Sequence, residues 1–183
     1  GAPPDMPSGS AKVVTAEYRA PFLAHAAMEP IACTARVDAN GADVWAGVQD
    51  PLNARSVAAK ALGLDTSQVR LTNFLLGGGF GRRLPFNFDY IDLGVRIAKA
   101  VSPTPVKMIW TRENETQHDY YRPAALSRHA GALDGNGLPT AVASKYTGPG
   151  DGEALAMPYA IAAKDADAVK SPHHVREGQW RSV

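Results

Sequence analysis

Apolar positions along the chain switch between a period of two and a period near 3.6, and the switches divide it into short elements. "KVVTAEYRA" (12–20) alternates as a half-buried strand does. "IACTARVDANGADVWAGV" (31–48) reads as two short strands around Asn40-Gly41, a pair suited to a tight hairpin. "PLNARSVAAKALGL" (51–64) has apolar residues at 52, 57, 58, 61 and 62, with Pro51 placed for a first helical turn and Gly63 as a stop. "QVRLTNFLL" (68–76) is a strand that delivers the chain to a run of glycines. "FDYIDLGVRIAKAV" (88–101) is a second amphipathic helix with Ile91, Val95 and Ala98 on one stripe and Pro103 beyond it. "PVKMIW" (105–110) is a buried-looking strand, and residues 124–148 form a hairpin turned at "DGNG". Residues 1–12 are Pro/Gly/Ser-rich and read as a linker or disordered lead-in, and "GPGDGEALAMP" (148–158) reads as a loop. No internal repeat is visible. Helices alternate with strands in the middle and hairpins flank them, so the pattern predicts an α+β fold, a mixed sheet with β-hairpins and packed helices.

Composition narrows the function classes. The 183 residues, 45% hydrophobic and 20% charged, suit one domain or one and a half. Nineteen basic against 18 acidic residues leave a net charge of +1, so no global field draws in nucleic acid or a membrane surface. No apolar run approaches the ~20 residues of a membrane span, and no secretory pattern opens the chain. The one cysteine, Cys33, excludes an internal disulfide and a cysteine-only metal site. The ending "EGQWRSV" has no turn signal or polar tail, which suggests a piece of something longer.

Four motifs carry candidate chemistry. "LLGGGFGRRLPF" (75–86) joins backbone freedom to positive charge. It is either a permissive turn with solvated arginines or a place where backbone approaches something anionic. A phosphate loop needs Lys-Ser/Thr where this chain has Arg82-Arg83, and the spacing of Gly77, Gly79 and Gly81 fails the dinucleotide fingerprint. In "HAAMEP", His25 and Glu29 are four apart; two ligands make no metal site, and a buried His–Glu hydrogen bond locking a loop is the simpler expectation. The pair His173-His174 lies in a Pro-flanked loop and reads as solvated. In "HDYYRP", Arg122 follows two tyrosines and precedes Pro123, where an arginine either caps a strand or awaits a planar anion. Gln49 in "AGVQDP" is a neutral amide at a strand end.

The order of these pieces resembles the molybdenum hydroxylase family, which includes xanthine dehydrogenases and aldehyde oxidases. The closest likeness is to the bacterial isoquinoline 1-oxidoreductase type of large subunit. Its members carry a Gln after the hairpin strand, a helix ending in Leu-Gly, a strand leading to Gly-Gly-Gly-Phe-Gly, and an Arg before Pro. The likeness runs from about residue 13 to the last residue, so it implies that 13–183 is the first part of a molybdenum-cofactor-binding domain.

That resemblance implies a molybdopterin carrying Mo, usually the cytosine dinucleotide form in bacteria. It implies that Gln49 hydrogen-bonds the metal's oxo ligand and that Arg122 stabilises charge developing on the substrate. Gly79, Phe80 and Gly81 would close over metal and pterin, and Arg181 would be a further site arginine. Leu84 stands where purine-acting members carry a glutamate, which argues for an aromatic N-heterocycle or an aldehyde. Implied partners are the rest of the large subunit and a 2Fe–2S electron-transfer subunit, with no nucleic acid and no membrane span. The compartment stays open between bacterial cytoplasm and periplasm. No residue matches the family's late glutamate base, so the isolated chain is expected to be inactive and no metal ligand is assigned. The alternative is a non-catalytic binding or assembly module that uses the same fold without molybdenum.

Overall fold

A computed structural model of the chain describes residues 12–84, 87–148 and 157–180. The chain divides into two compact units, one of residues 1–23 and 123–175, the other of residues 24–122 and 176–183.

The second unit is a four-stranded sheet with helices. Its strands are β2 (Ala32–Asp38), β3 (Gly41–Ala46), β4 (Val69–Asn73) and β5 (Val106–Ile109), in the order β4-β3-β2-β5; the label β1 belongs to Lys12–Ala20 of the other unit. β2 and β3 form the expected hairpin, with Asp38 opposite Gly41 and the Asp38 carboxylate accepting the Asn40 N–H at 2.8 Å. One face of this pair, Cys33, Ala35, Val37, Ala42, Val44 and Ala46, is buried, as alternation demands.

Helix α1 (Pro51–Leu62) carries the chain from β3 to the parallel β4. Asp50 caps it by accepting the Asn53 N–H, Pro51 opens it, and Gly63 ends it at φ +72°, the arrangement its sequence signals require. The predicted apolar face is partly corrected: Leu52 is exposed, while Ala54, Ala58, Ala59 and Leu62 are buried. Small alanines let α1 pack closely, and a Leu in the first turn falls outside that stripe. Helix α2 (Asp89–Ala100) buries Tyr90, Ile91, Val95 and Ala98 completely. Ile91 and Val95 together contribute about 3–6 kcal/mol of burial free energy. A six-residue helix α3 (Arg112–Gln117), capped by Thr111, follows β5 and had no counterpart in the sequence reading. The strand expected over 68–76 stops at Asn73.

The first unit is a sheet of β1, β6 (Ala125–Leu133), β7 (Pro139–Thr147) and β8 (Ala163–Ala168), in the order β1-β6-β7-β8. The β6–β7 hairpin turns at DGNG as expected, where the Asp134 carboxylate accepts the N–H groups of Asn136 and Leu138. Ala130, Ala132, Ala141, Ala143, Tyr146 and Ile161 are its buried apolar residues. His173 and His174 are exposed, as read. Both units together bear out the α+β class. Of the lead-in read over 1–12, Lys12 is the first residue of β1, while residues 1–11 and most of the 148–158 loop lie outside the described residues.

Candidate functional site

The glycine run is laid against two anchors. On one side, Glu29 accepts the Gly77 N–H at 2.6 Å and donates its own N–H to Gly77 O at 3.1 Å. On the other, Gln49 donates its backbone N–H to Arg83 O at 2.9 Å. The strand end that presents Gln49 is fixed as well, because Asn73 Oδ1 accepts the Val48 N–H at 2.9 Å. These bonds bring Gln49 beside Gly79: a Cβ added at Gly79 would lie 2.6 Å from Gln49 Oε1.

Phe80 then takes a left-handed φ of +51° and leaves its ring half-exposed. A non-glycine residue in this region costs about 1–2 kcal/mol, and such strain persists where the surroundings enforce it. The turn closes through the Arg82 N–H to Gly79 O at 2.8 Å. At Gly81, φ is +112°, and a Cβ would lie 1.8 Å from Gln179 O. Gly81 is therefore required twice, by its dihedral and by the backbone pressed against it.

The two arginines settle the question their charge raised. Neither is solvated. Arg82 is fully buried; it donates to Asn87 O at 2.7 Å and to Asp89 at 2.9 Å, and its Nε stands 3.1 Å from Asp119 Oδ1. That Nε is an ion-pair neighbour of Asp119 but is not aligned for a hydrogen bond. Its guanidinium also lies 5.2 Å from the Tyr120 ring centroid. Arg83 is 1% exposed, donates to the carbonyls of Gly47 and Glu29 at 3.3 and 3.0 Å, and pairs with Glu29 at 3.2 Å. The positive charge of the loop is thus spent on fastening the loop to its own unit.

His25 does not bond to Glu29. Its backbone N–H and ring Nδ1 both meet Asp119, at 2.5 Å and 3.1 Å, and Nε2 lies 2.9 Å from Gln179 O. The reason is geometric: Glu29 is occupied with Gly77 and Arg83, while residues 25–30 are not helical, so a spacing of four does not place the pair on one face. Burial works to raise the Asp119 pKa, yet the bonds from His25 outweigh it and hold the carboxyl below the ordinary range. Glu115 is the opposite case: buried against Arg112 at 2.7 Å, it is pushed upward by desolvation.

Arg122 is half-buried at the end of this unit. Its neighbour Tyr121 donates its N–H to Arg176 O and accepts from the Gly178 N–H, and the next residue of that segment is the Gln179 that abuts Gly81. Gln49, Gly79, Phe80 and Gly81 are therefore assembled in one place, and Tyr121, the residue before Arg122, is bonded to residues 176 and 178. Arg181 lies outside the described residues. Among the described residues no cluster of three or more His, Cys, Asp or Glu could hold a metal ion, and no helix is long and apolar enough to cross a membrane. Asp119 and Gln179 carry no local signal of their role; Asp119 stands inside "HDYYRP", but nothing local pairs it with a histidine 94 residues away.

Residues 5–163 match the family model described as "Molybdopterin cofactor-binding domain". The chain is 35% identical over 139 residues to a membrane-bound aldehyde dehydrogenase (pyrroloquinoline-quinone) of Gluconacetobacter polyoxogenes, covering 75% of this chain and 18% of that protein. It is 33% identical over 135 residues to the aldehyde oxidoreductase molybdenum-binding subunit PaoC of Escherichia coli O157:H7, covering 74% and 18%. It is 32% identical over 123 residues to isoquinoline 1-oxidoreductase subunit beta of Brevundimonas diminuta, covering 67% and 15%. In fold it is similar to quinoline 2-oxidoreductase from Pseudomonas putida 86, with TM-score 0.73, 18% identity, and 95% of this chain against 24% of that one. The chain thus spans less than a fifth of the length of these curated relatives.

Proposed function

The chain belongs to the molybdopterin cofactor-binding domain family, and on that premise we propose that it supplies one part of a molybdenum–pterin cradle in an oxidoreductase that hydroxylates an N-heteroaromatic or aldehyde substrate. The observation that carries this reading is the Gln49 amide. Its Oε1 is buried without a hydrogen-bond partner and lies against the side of Gly79 that has no side chain. A buried amide end left unsatisfied costs about 1–3 kcal/mol, so the position is one that a polar group of a ligand would complete. An amide keeps its shape when its two ends exchange, so the same place offers either an acceptor or a donor. That suits a neutral hydrogen bond to a group whose charge must not be altered. The residues present fit the cofactor.

In this reading Gly79 and Gly81 keep the approach free of side chains, the half-exposed Phe80 ring walls it, and Gln49 orients the bound group. When bound, the molybdenum–pterin group supplies the two-electron redox chemistry that places a water-derived oxygen on the substrate carbon. Arg122 offers a fixed positive charge for negative charge that grows on the substrate, a contribution of the preorganised electrostatic kind. Arg181 is proposed as a second arginine of the site, and the cytosine dinucleotide as the form of the pterin. The proposed partners are the rest of the large subunit and a 2Fe–2S electron-transfer subunit. The 183-residue chain by itself is proposed to be inactive.

Oxygen tracing tests the reaction. The longest polypeptide carrying this chain, with its partner subunit, is turned over on an aldehyde and on an N-heteroaromatic in ¹⁸O-water. Label from water in the product supports the reading. Label from ¹⁸O₂ instead overturns it, and so does turnover by the 183-residue chain alone for the inactivity it assigns.

A further inference from the structure

We propose that His25 is a positioning residue whose two ring nitrogens both donate, one to Asp119 and one to Gln179 O, and that it thereby clamps Gln179 and Trp180 onto the glycine loop.

The acceptors leave little choice. The His25 side chain is fully buried, so no water completes its bonds. Asp119 already has two donors and a cation beside it: its Oδ1 accepts the Tyr120 N–H at 2.7 Å, its Oδ2 accepts the His25 backbone N–H, and Arg82 Nε lies 3.1 Å from Oδ1 without being aligned to donate. A carboxylate so surrounded is ionised and only accepts, so Nδ1, 3.1 and 3.2 Å from its two oxygens, carries a hydrogen. The partner of Nε2 is a backbone carbonyl, which has none to give, so Nε2 at 2.9 Å carries the second. The ring is then an imidazolium facing a carboxylate. The other charges around Asp119 are Arg82 beside it and the buried Glu115 with its partner Arg112. The indole of Trp180 stacks on the ring at 4.8 Å between centroids and 29° between planes, a placement that favours a cation.

The clamp acts at one point. Gln179 O fills the space that a Gly81 side chain would need, and Trp180 immediately precedes Arg181. Residues 176–178 are held separately: Arg176 and Gly178 bond to Tyr121, and Arg176 donates to His118 O and lies 4.6 Å from the Tyr120 centroid. Loss of His25 should therefore free Gln179 and Trp180 and spare residues 176–178. The inference concerns contacts within this chain and does not depend on the cofactor reading.

The test is NMR on the 183-residue chain at neutral pH. Ring ¹⁵N shifts of His25 should show both nitrogens protonated; a neutral tautomer overturns the proposal. In His25→Asn, which keeps a donor near Nδ1 and has none at Nε2, backbone order parameters at Gln179 and Trp180 should fall from about 0.85 to below about 0.6, with 176–178 unchanged. In His25→Gln, which extends a donor toward the Nε2 position, those two residues should stay ordered. Unchanged order at 179–180 in His25→Asn, or a loss of order spread evenly across the unit, overturns it.

Discussion

Gly81→Ala puts the geometry of the loop under direct load. The new Cβ would lie 1.8 Å from Gln179 O and 3.3 Å from His25 Nε2, whereas real Cβ atoms stay at least about 3.0 Å away from such neighbours. Backbone is the obstacle, so the two segments must separate by roughly 1.2 Å, the difference between 3.0 and 1.8 Å. Overpacking of this kind costs about 1–3 kcal/mol, and forcing an alanine to φ +112° costs about 1–3 kcal/mol more. The sum, about 2–6 kcal/mol, is a large part of the 5–15 kcal/mol that stabilises a typical protein. At an m-value of about 2 kcal/mol/M it lowers the urea midpoint by about 1–3 M. Tryptophan emission is the right probe, because Trp45, Trp110 and Trp180 all belong to the unit that contains the loop. Gly63→Ala is the control: its φ is +72° and nothing lies within 4 Å of its Cβ, so it should cost only about 1–2 kcal/mol. A Gly81→Ala midpoint equal to or above that of Gly63→Ala would contradict the clash with Gln179 O.

Further outcomes follow from the buried groups. Burial raises the Cys33 thiol to about 12, so the unfolded chain loses this proton first and stability falls as pH rises above the unfolded value of 9.0. The loss from this group is about 1 kcal/mol between pH 9 and 10, and Cys33→Ala should flatten the measured decline by that amount; an unchanged slope contradicts it. Arg82→Ala removes a fully buried guanidinium bonded to Asn87 O and Asp89 and takes one charged neighbour from Asp119, and should cost about 3–5 kcal/mol; Arg96→Ala, whose pair with Asp92 is an exposed i,i+4 contact, should leave the urea midpoint nearly unchanged, and equal effects would contradict the buried network. Met28, Leu75, Phe74 and Phe80 are exposed large hydrophobics of the same unit, so the chain should self-associate in light scattering and Leu75→Glu should reduce that; a monodisperse wild-type monomer would count against it.

The elements were legible where their signals are local. Asn40-Gly41, DGNG, Pro51 and Gly63 act through their own dihedrals and missing donors, and each stands where the sequence placed it. β8 was invisible because all six of its residues are exposed; with no apolar face it is a strand only through its pairing with β7. The glycine loop and Gln49 were found by their order in the chain. What holds them was not, because the partners are far apart in sequence: His25 with Asp119, Arg83 with Gly47 and Glu29, Gly81 with Gln179. Two adjacent arginines in a glycine loop suggest solvent or an anion, and only the fold reveals that both are buried.

Whether the Gln49–Gly79 corner holds a molybdenum–pterin group, as proposed, is decided by elemental analysis with nucleotide release. The 183-residue chain, the longest polypeptide that carries it, and the Gly79→Val form of that polypeptide would be purified side by side. Molybdenum and released CMP are expected from the long polypeptide, neither from the short chain, and loss of both in Gly79→Val with its tryptophan emission unchanged. No molybdenum in the long polypeptide, or full retention in Gly79→Val, would contradict it.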